Sequence, residues 1–367
     1  MKKKKCLLLN ISYLILFNTT DIMSEQQSNR HKFPYKSKAF ANLKAEITQR
    51  FFMLKAFNYK DRLLLDRPYT LKGMEKFKPD EILYEGHYTV LLTKPDDYYF
   101  NVLSDFFNEK CRVKCILIGR PMSPYDYYKK NYYQIKKYAL NKYKKINDHT
   151  LRESLYETFF NGRGECTNHR CNNIMSMIQM FGAKKVLDPS AGWGDRLIGA
   201  IASNDCEIYV GIDPNECVHH GYQKIIKFFN AENKSKMYQM GFEEFENPDN
   251  IAFDLVYTSP PYFTMEVYEP GPKQSISKYS TESLWFENFL KVLLNKAIEY
   301  TRYHGIIAIN IGMVGGNTYV YDMLQYMKDE KKNNVEYLGI ISYSDENFRS
   351  VNPIFIWRNI SNSNVKL

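Results

Sequence analysis

The sequence predicts an α/β fold built on a mainly parallel sheet, with a helix-rich region before it. In the second half of the chain, short apolar runs alternate with stretches of helical periodicity. The runs "KKVLDPS", "EIYVGID" and "FDLVYTS" are apolar without polar alternation, which is typical of strands covered on both faces. A short connection joins the last two strands, which indicates a hairpin and therefore one antiparallel strand.

The remaining elements of this half follow in order. Apolar residues at helical spacing predict the helices "DRLIGAIAS", "ECVHHGYQKIIKFFN" and "TESLWFENFLKVLLNKAIEYTRY", the last capped by Ser280 or Thr281. A further helix is predicted from about Tyr319 to Lys331. The other strands are "KMYQMG", "GIIAINIG", "VEYLGIISYS" and "NPIFIWRN". We therefore assign residues 151–367 to one α/β domain.

The first half of the chain is helix-leaning and basic. The chain of 367 residues carries a formal net charge of +9, with 15% aromatic residues. Residues 127–147 contain seven lysines, six tyrosines and no acid. This composition fits a nucleic-acid partner, although AT-rich codon usage or a solvated basic helix would produce the same pattern. We predict that residues 36–150 form a helix-rich basic region that takes part in target recognition.

The chain begins with a segment that we predict to be unstructured, residues 1–35. "MKKKKCLLLNISYLILFN" has the basic head and apolar run of a signal peptide, but no small-residue cleavage pattern follows. The alternative, which we favour, is that translation begins at Met23. We expect no stable membrane association and a location in the cytoplasm, or in the host cell interior for a viral protein.

The seven cysteines argue against a disulfide framework, because their number is odd and the chain has ordinary enzyme size. A reducing compartment is therefore expected. A zinc site could be drawn from Cys111 with Cys115 and Cys166 with Cys171, but these spacings fit no common ligand pattern. We predict no metal.

Two strand ends predict a cofactor of the adenosine type. In "VLDPSAGWGDRL", Asp188 ends a strand, and Gly192 and Gly194 allow a tight turn into the next helix. Asp213 ends the following strand and is placed to accept hydrogen bonds from ribose hydroxyls. For either aspartate, a helix N-cap is the alternative. Since the chain has neither the dinucleotide-binding glycine pattern nor a Walker lysine, NAD and ATP are disfavoured.

A third strand end, "MGFEEFEN", could border the adenine. Phe242 could pack on the ring, and Glu243 or Glu244 could accept a hydrogen bond from its amino group. The alternative is a core phenylalanine followed by solvated acids.

The fourth strand end, "FDLVYTSPPYF", points to chemistry at an amino group. Two prolines end the strand, because neither can donate to a ladder. The hydroxyl of Ser259 and the carbonyl of Pro260 are expected to converge on one spot, where they would accept both N–H bonds of an exocyclic amine. This would make the nitrogen more tetrahedral and free its lone pair, and Tyr262 offers a flat face for a base. A rigid Pro-Pro turn without function is the alternative.

The motifs "VLDPSAGWGDR", "GIDPN" and "TSPPYF" together resemble S-adenosylmethionine-dependent DNA amino-methyltransferases, the cytosine-N4 and adenine-N6 group, over roughly residues 155–360. The resemblance implies a Rossmann-like class I methyltransferase fold, with a seven-stranded, mostly parallel sheet and one antiparallel strand. It implies a cofactor site formed by Asp188, Ser190, Gly192, Gly194, Asp213, Phe242, Glu243, Thr167 and Asn168. It implies a catalytic site formed by Ser259, Pro260, Pro261 and Tyr262.

Serine in the first motif position leans toward cytosine N4 in this family, and aspartate or asparagine toward adenine N6. The partner would be DNA, double- or single-stranded, with the target base flipped out of any duplex. The chain departs from the family in its "SAGWG" loop and in having no inserted recognition domain there. "TMEVYEPGPKQSISKYS" after the motif could be a lid or an ordinary loop. RNA guanine-N2 methylation, protein glutamine methylation and a catalytically dead nucleic-acid-binding protein stay open, as does any restriction nuclease partner.

Overall fold

A computed structural model describes most of the chain, namely residues 31–36, 43–56, 62–65, 88–92, 100–160, 165–268, 271–312, 314–344 and 351–361. The helices are α1 (Leu43–Met53), α2 (Asn101–Arg112), α3 (Pro124–Tyr143), α4 (Asp148–Leu155), α5 (Cys171–Phe181), α6 (Asp195–Ala202), α7 (Glu216–Phe228), α8 (Ser275–Lys278), α9 (Glu282–Trp285), α10 (Lys291–Tyr300) and α11 (Tyr319–Asp329). The strands are β1 (Arg62–Leu65), β2 (Tyr88–Leu92), β3 (Ile116–Leu117), β4 (Lys185–Asp188), β5 (Ile208–Ile212), β6 (Ser235–Tyr238), β7 (Phe253–Thr258), β8 (Glu266–Val267), β9 (Thr301–Asn310), β10 (Val335–Ser344) and β11 (Val351–Asn359).

The main sheet has nine strands in the order β1-β2-β10-β11-β9-β7-β4-β5-β6. Strands β6, β5, β4, β7 and β9 pair in parallel, whereas β11 runs antiparallel to both of its neighbours, β10 and β9. Seven of the nine strands, in the order β10-β11-β9-β7-β4-β5-β6, form the predicted mostly parallel sheet with one antiparallel strand, which confirms the predicted Rossmann-like class I methyltransferase fold. The predicted hairpin is the pair formed by β10 and β11.

The N-terminal region is less separate from this domain than the sequence indicates. Besides helices it contains β1 and β2, which extend the main sheet beyond β10. Helix α4 runs across the predicted boundary at residue 150. The predicted unstructured segment also ends earlier, because Phe33 is buried and Lys36 Nζ donates to Asp105 at 2.8 Å. Residues 1–30 lie outside the described part of the chain.

Both faces of the sheet are buried, which explains the continuous apolar strands. On β4, Leu187 belongs to the core cluster under α9–α11, while Val186 belongs to the cluster under α5–α7. Each aliphatic side chain buried in this way stabilises the fold by about 1.5–3 kcal/mol.

The predicted long helix begins at the predicted cap, since Thr281 Oγ1 accepts from the Leu284 N–H at 3.3 Å. It is not continuous, because a π-helical turn over Phe286–Leu290 separates α9 from α10.

Two disulfides correct the expectation of free thiols. Cys111 is bonded to Cys217, and Cys115 to Cys166, so the pairs drawn above for zinc are not pairs in the structure. Spacing along the chain cannot show that α2 lies across α7. The two helices approach so closely that a Cβ on Gly221 would lie 1.7 Å from the Asn108 side-chain oxygen.

The sulfurs of Cys115 and Cys166 lie near the Glu266 carboxylate, but disulfide sulfurs are not the thiolates that bind metals.

Reduction is expected to destabilise the protein. Each bridge ties α2, or the turn after it, to a segment of the α/β domain, and bonds that close such long loops contribute about 2–4 kcal/mol. Urea unfolding with and without a phosphine reductant measures this. In the Cys111→Ser/Cys217→Ser double variant, the urea midpoint should fall less on reduction than it does in the wild type. Identical midpoints for the oxidised and reduced wild type would contradict the pairing.

Within the described ranges, every helix is too short or too polar to cross a membrane.

Candidate active site

A cavity of about 790 Å³ lies at the carboxyl ends of the central strands. The strand order reverses between β4 and β7, and such a switch point is where parallel α/β sheets bind ligands. The structure brings nearly all predicted site residues into its lining. These are Thr167, Asn168, Ser190, Gly192, Asp213, Phe242, Glu243, Ser259, Pro260, Pro261 and Tyr262. Asp188 and Gly194 are outside the lining.

Asp188 supports the glycine loop, residues 189–194, which joins β4 to α6. Its fully buried carboxylate accepts from Arg196 Nε at 2.7 Å and from the Tyr209 hydroxyl at 2.6 Å. Arg196 also donates to the Ser190 carbonyl and lines the cavity. Burial alone would lower the pKa of Arg196, but the Asp188 carboxylate more than offsets it, so the guanidinium stays charged. Asp188 also accepts from the Ser190 N–H at 3.2 Å and does not line the cavity, so it positions the loop both directly and through Arg196.

The two predicted glycines have different roles. Gly192 has φ +62°, its N–H donates to Asp213 Oδ2 at 2.8 Å, and a Cβ there would meet nothing closer than 3.9 Å. Its backbone thus faces open cavity. Gly194 has φ +93°, and a Cβ there would lie 2.8 Å from Ile225 Cδ1. Gly194 is therefore required for packing α6 against α7 and not for contact with a ligand.

Asp213 is held by backbone donors at the end of β5. Besides the bond from Gly192, its Oδ1 accepts from the Asn215 N–H at 2.9 Å. Burial raises the pKa of Asp213 to about 6, although both N–H donors act in the opposite direction. The helix-cap alternative is wrong for this residue, because Asn215 is the N-cap of α7 and accepts from Cys217 N–H. Asp213 thus presents a carboxylate in the cavity wall.

The motif after β7 has a defined hydrogen-bond direction. The Tyr262 hydroxyl donates to the Asn310 carbonyl at 3.1 Å and lies 3.1 Å from Ser259 Oγ. A phenol has one proton, so with that proton on Asn310, the Ser259 hydroxyl is the donor to Tyr262. The lone pairs of Ser259 Oγ are then left to accept hydrogen bonds from a ligand. Burial raises the pKa of Tyr262 to about 12, so the phenol keeps its proton at neutral pH.

Residues 242–244, which follow β6, match neither the predicted adenine border nor the alternative of a core phenylalanine followed by solvated acids. Phe242 is 1% exposed and belongs to the core, but it also borders the cavity. Glu243 and Glu244 are neither free nor fully solvated, because Lys278 donates to them at 2.9 and 2.7 Å. Gln274 borders the cavity, and its buried Oε1 has no hydrogen-bond partner within the described part of the chain. This oxygen is an additional candidate acceptor for an amino group.

The segment after the motif forms a wall of the cavity together with the N-terminal region. β8 pairs with β3, and the Tyr268 hydroxyl donates to Glu266 at 2.5 Å. Burial raises the pKa of Glu266, and the Tyr268 ring lies 5.7 Å from the ring of Trp193. The stretch "TMEVYEPGPKQSISKYS", residues 264–280, therefore contains near its start a strand, β8, that is paired with β3.

Asn168 connects the cavity to α2. Its Nδ2 donates to Ser104 Oγ at 2.9 Å and to Asp105 Oδ1 at 3.2 Å. Thr167 follows the disulfide-bonded Cys166, which fixes the start of this lining segment. Both residues line the same cavity as Gly192 and Asp213.

Sequence reasoning missed several lining residues, among them Arg196, Gln274, Glu266, Tyr268 and Asn310. Asn310 ends β9, so reading the carboxyl end of that strand as well would have found it. Arg196 lies in the first turn of the helix that follows the glycine loop. For Gln274, Glu266 and Tyr268 the local sequence has no such signal.

Comparisons with known proteins give structural likenesses only. No family model and no curated protein matches the chain. Among solved structures, a tRNA m1G37 methyltransferase from M. jannaschii is 16% identical, with a TM-score of 0.34 over 51% of this chain and 46% of that one. A putative methyltransferase from Streptococcus mutans in complex with SAH is 12% identical, with a TM-score of 0.38 over 53% and 99%. A putative rRNA methylase from Clostridium thermocellum is 16% identical, with a TM-score of 0.37 over 53% and 98%.

Proposed function

We propose that this protein is an S-adenosylmethionine-dependent DNA methyltransferase that methylates the exocyclic amino group of a flipped-out base, cytosine N4 in preference to adenine N6. The observation that carries the proposal is the placement of Ser259. Ser259, whose hydroxyl is left to accept hydrogen bonds, lines the same cavity as Gly192 and Asp213. The proposal assigns the first to an exocyclic amine and the second to the nucleoside part of the cofactor.

The residues present fit this cofactor. Asp213 would accept from the ribose hydroxyls, and the open backbone at Gly192 leaves room for the methionine part. Phe242 and Gln274 would border the adenine. When bound, S-adenosylmethionine would supply an electrophilic methyl group.

The chain's own residues would prepare the base. Ser259 Oγ would accept one N–H of the amine, and the Pro260 carbonyl, held by the two prolines, would accept the other. Accepting both bonds favours a tetrahedral nitrogen whose lone pair is available for attack. The Tyr262 ring is fixed by its bond to the Asn310 carbonyl, so it would present a rigid face on which the base stacks. No covalent intermediate is needed.

Transfer of labelled methyl groups to competing acceptors tests the proposal. Duplex DNA, single-stranded DNA, RNA and a glutamine-containing peptide are each incubated with the protein and labelled S-adenosylmethionine. We expect label in DNA. Label confined to RNA or to the peptide would overturn the DNA assignment, and absence of cofactor binding would favour the non-enzymatic alternative.

Cofactor affinity is expected to fall at acid pH. Because the pKa of Asp213 is about 6, its carboxylate is ionised above that pH and becomes a weaker acceptor below it. If only the ionised form binds ribose, the Kd for S-adenosylmethionine should be about tenfold higher at pH 5 than at pH 7.5. Calorimetric titration across this range measures it.

Two variants identify the titrating group. Asp213→Asn should bind weakly at every pH and lose the dependence. His219 contacts the Asp213 carbonyl at 2.7 Å and has a pKa lowered by burial, so it could also titrate in this range. The dependence should persist in His219→Gln. A flat profile in the wild type would contradict the role of Asp213.

A further inference from the structure

We propose that the outer face of α3 is a docking surface for single-stranded DNA, which it guides to the cavity. The inference rests on the proposed function and specifies the partner surface. The outer face consists of Lys130, Tyr133, Lys137, Leu140 and Lys144, the last directly after the helix.

These side chains recur at the spacing of one helix face, since Lys130, Lys137 and Lys144 are seven residues apart, close to two helical turns. Lys130 lies just before a kink at Asn131, and Lys144 is the left-handed C-cap that follows the last turn. The opposite side of α3 holds the buried Tyr128, Ile135 and Ala139, which anchor it to the protein. All residues of the outer face are exposed, and Tyr133 is 67% exposed.

The charge of the outer face is not neutralised within the described part of the chain. Lys130, Lys137 and Lys144 have no ion-pair partner among the described residues. By contrast, Lys142 on the flank of α3 donates to both oxygens of Glu157, which Tyr138 and Tyr143 also contact. Lys142 is therefore ion-paired, whereas the three lysines of the outer face are not paired with any acid of the described residues.

The type of partner follows from the mixture of side chains. Lysines at regular spacing suit the phosphates of any nucleic acid. An exposed tyrosine between them suits unstacked bases, since stacking on aromatic rings is how proteins bind single strands without sequence preference. A duplex hides its base faces and would not use Tyr133. The exposed apolar Leu140 is consistent with bases lying on this face.

The start of α3 is close to the cavity along the chain. The Ile118 N–H donates to the Met265 carbonyl at 2.8 Å, and Met265 lines the cavity. Helix α3 begins at Pro124, so its start lies within about 21 Å of that bond even if the connection is fully extended. In the proposal, a strand lying on the outer face would continue past the start of α3 toward the cavity.

Fluorescence anisotropy with a labelled single-stranded oligodeoxynucleotide tests the proposal. In the Lys130→Gln/Lys137→Gln/Lys144→Gln variant we expect at least about tenfold weaker binding, and a log–log salt slope reduced in magnitude by about 2, since each phosphate contact contributes roughly 0.7 on single strands. Tyr133→Ala should weaken binding about tenfold with the salt slope unchanged. Lys142→Gln is the matched control and should bind like the wild type.

The outcomes separate this inference from the proposed function. If the triple variant binds single strands with wild-type affinity and slope while the wild type still methylates DNA, the docking surface is wrong and the function stands. If the wild type methylates no DNA but the lysines still govern single-strand binding, the function fails and the surface stands. Tighter binding of duplex DNA, or of RNA of the same sequence, through these lysines would overturn the single-stranded DNA assignment. Unchanged S-adenosylmethionine affinity in the triple variant shows that it is folded.

Discussion

Ser259→Ala is expected to lower kcat for methyl transfer by about 10²–10³-fold, the usual effect of removing one preorganised polar group aimed at developing charge. In the proposed reaction the amine nitrogen becomes positively charged as it is methylated, and Ser259 Oγ would be the side-chain acceptor that stabilises it. The Kd for S-adenosylmethionine should stay within about twofold, because Ser259 belongs to the motif after β7 and not to the glycine loop or to Asp213.

The controls make this prediction specific. Ser283→Ala changes an exposed serine on α9 and should leave transfer unaffected. Tyr262→Phe keeps the ring but removes the acceptor of the Ser259 proton, so it should lose less activity than Ser259→Ala. Single-turnover rates with saturating DNA and cofactor are the measurement. A Ser259→Ala enzyme with wild-type kcat would exclude the proposed role of the hydroxyl.

Arg196→Gln is expected to lower the free energy of unfolding by about 3–5 kcal/mol, the cost of leaving one partner of a buried ion pair without the other. The Arg196 and Asp188 side chains are 4% and 0% exposed, with 2.7 Å between the paired atoms. The same change also removes the bond to the Ser190 carbonyl, so the glycine loop should loosen and cofactor affinity should fall.

An exposed arginine pair supplies the comparison. Arg358 Nη1 lies 2.8 Å from Glu336 Oε2, with the side chains 39% and 51% exposed. Arg358→Gln should cost about 0–1 kcal/mol, because solvent screens such pairs. Urea denaturation of both variants measures the difference. Equal losses in the two would show that the Asp188–Arg196 pair does not anchor the loop.

The parts of the site that could be predicted are those where one residue type suits one backbone position. Asp213 and the Ser-Pro-Pro-Tyr motif stand at strand ends, and parallel strands bring their carboxyl ends to one edge whatever the details of packing. Gly192 was predictable in the same way, because the turn requires a positive φ. The individual strands of the α/β domain followed from short apolar runs, which depend only on local sequence.

The parts that could not be predicted depend on contacts between distant segments. Asp188 has the position of a ligand-binding acid, but Arg196 and Tyr209 converge on it from α6 and β5. The Cys111–Cys217 bond spans 106 residues and requires α2 to lie against α7. Pairing of β3 with β8 likewise joins the N-terminal region to the segment after the motif, and nothing in either short strand indicates its partner.

The most direct test of the central claim is nucleoside mass spectrometry of DNA after incubation with the protein and S-adenosylmethionine. The account predicts N4-methylcytosine, absent from a parallel reaction with Ser259→Ala. N6-methyladenine would retain amino-group methylation but reverse the base preference. Methylation on a ring carbon, or none in DNA while RNA or protein is methylated, would contradict the assignment of Ser259 to an exocyclic amine of DNA.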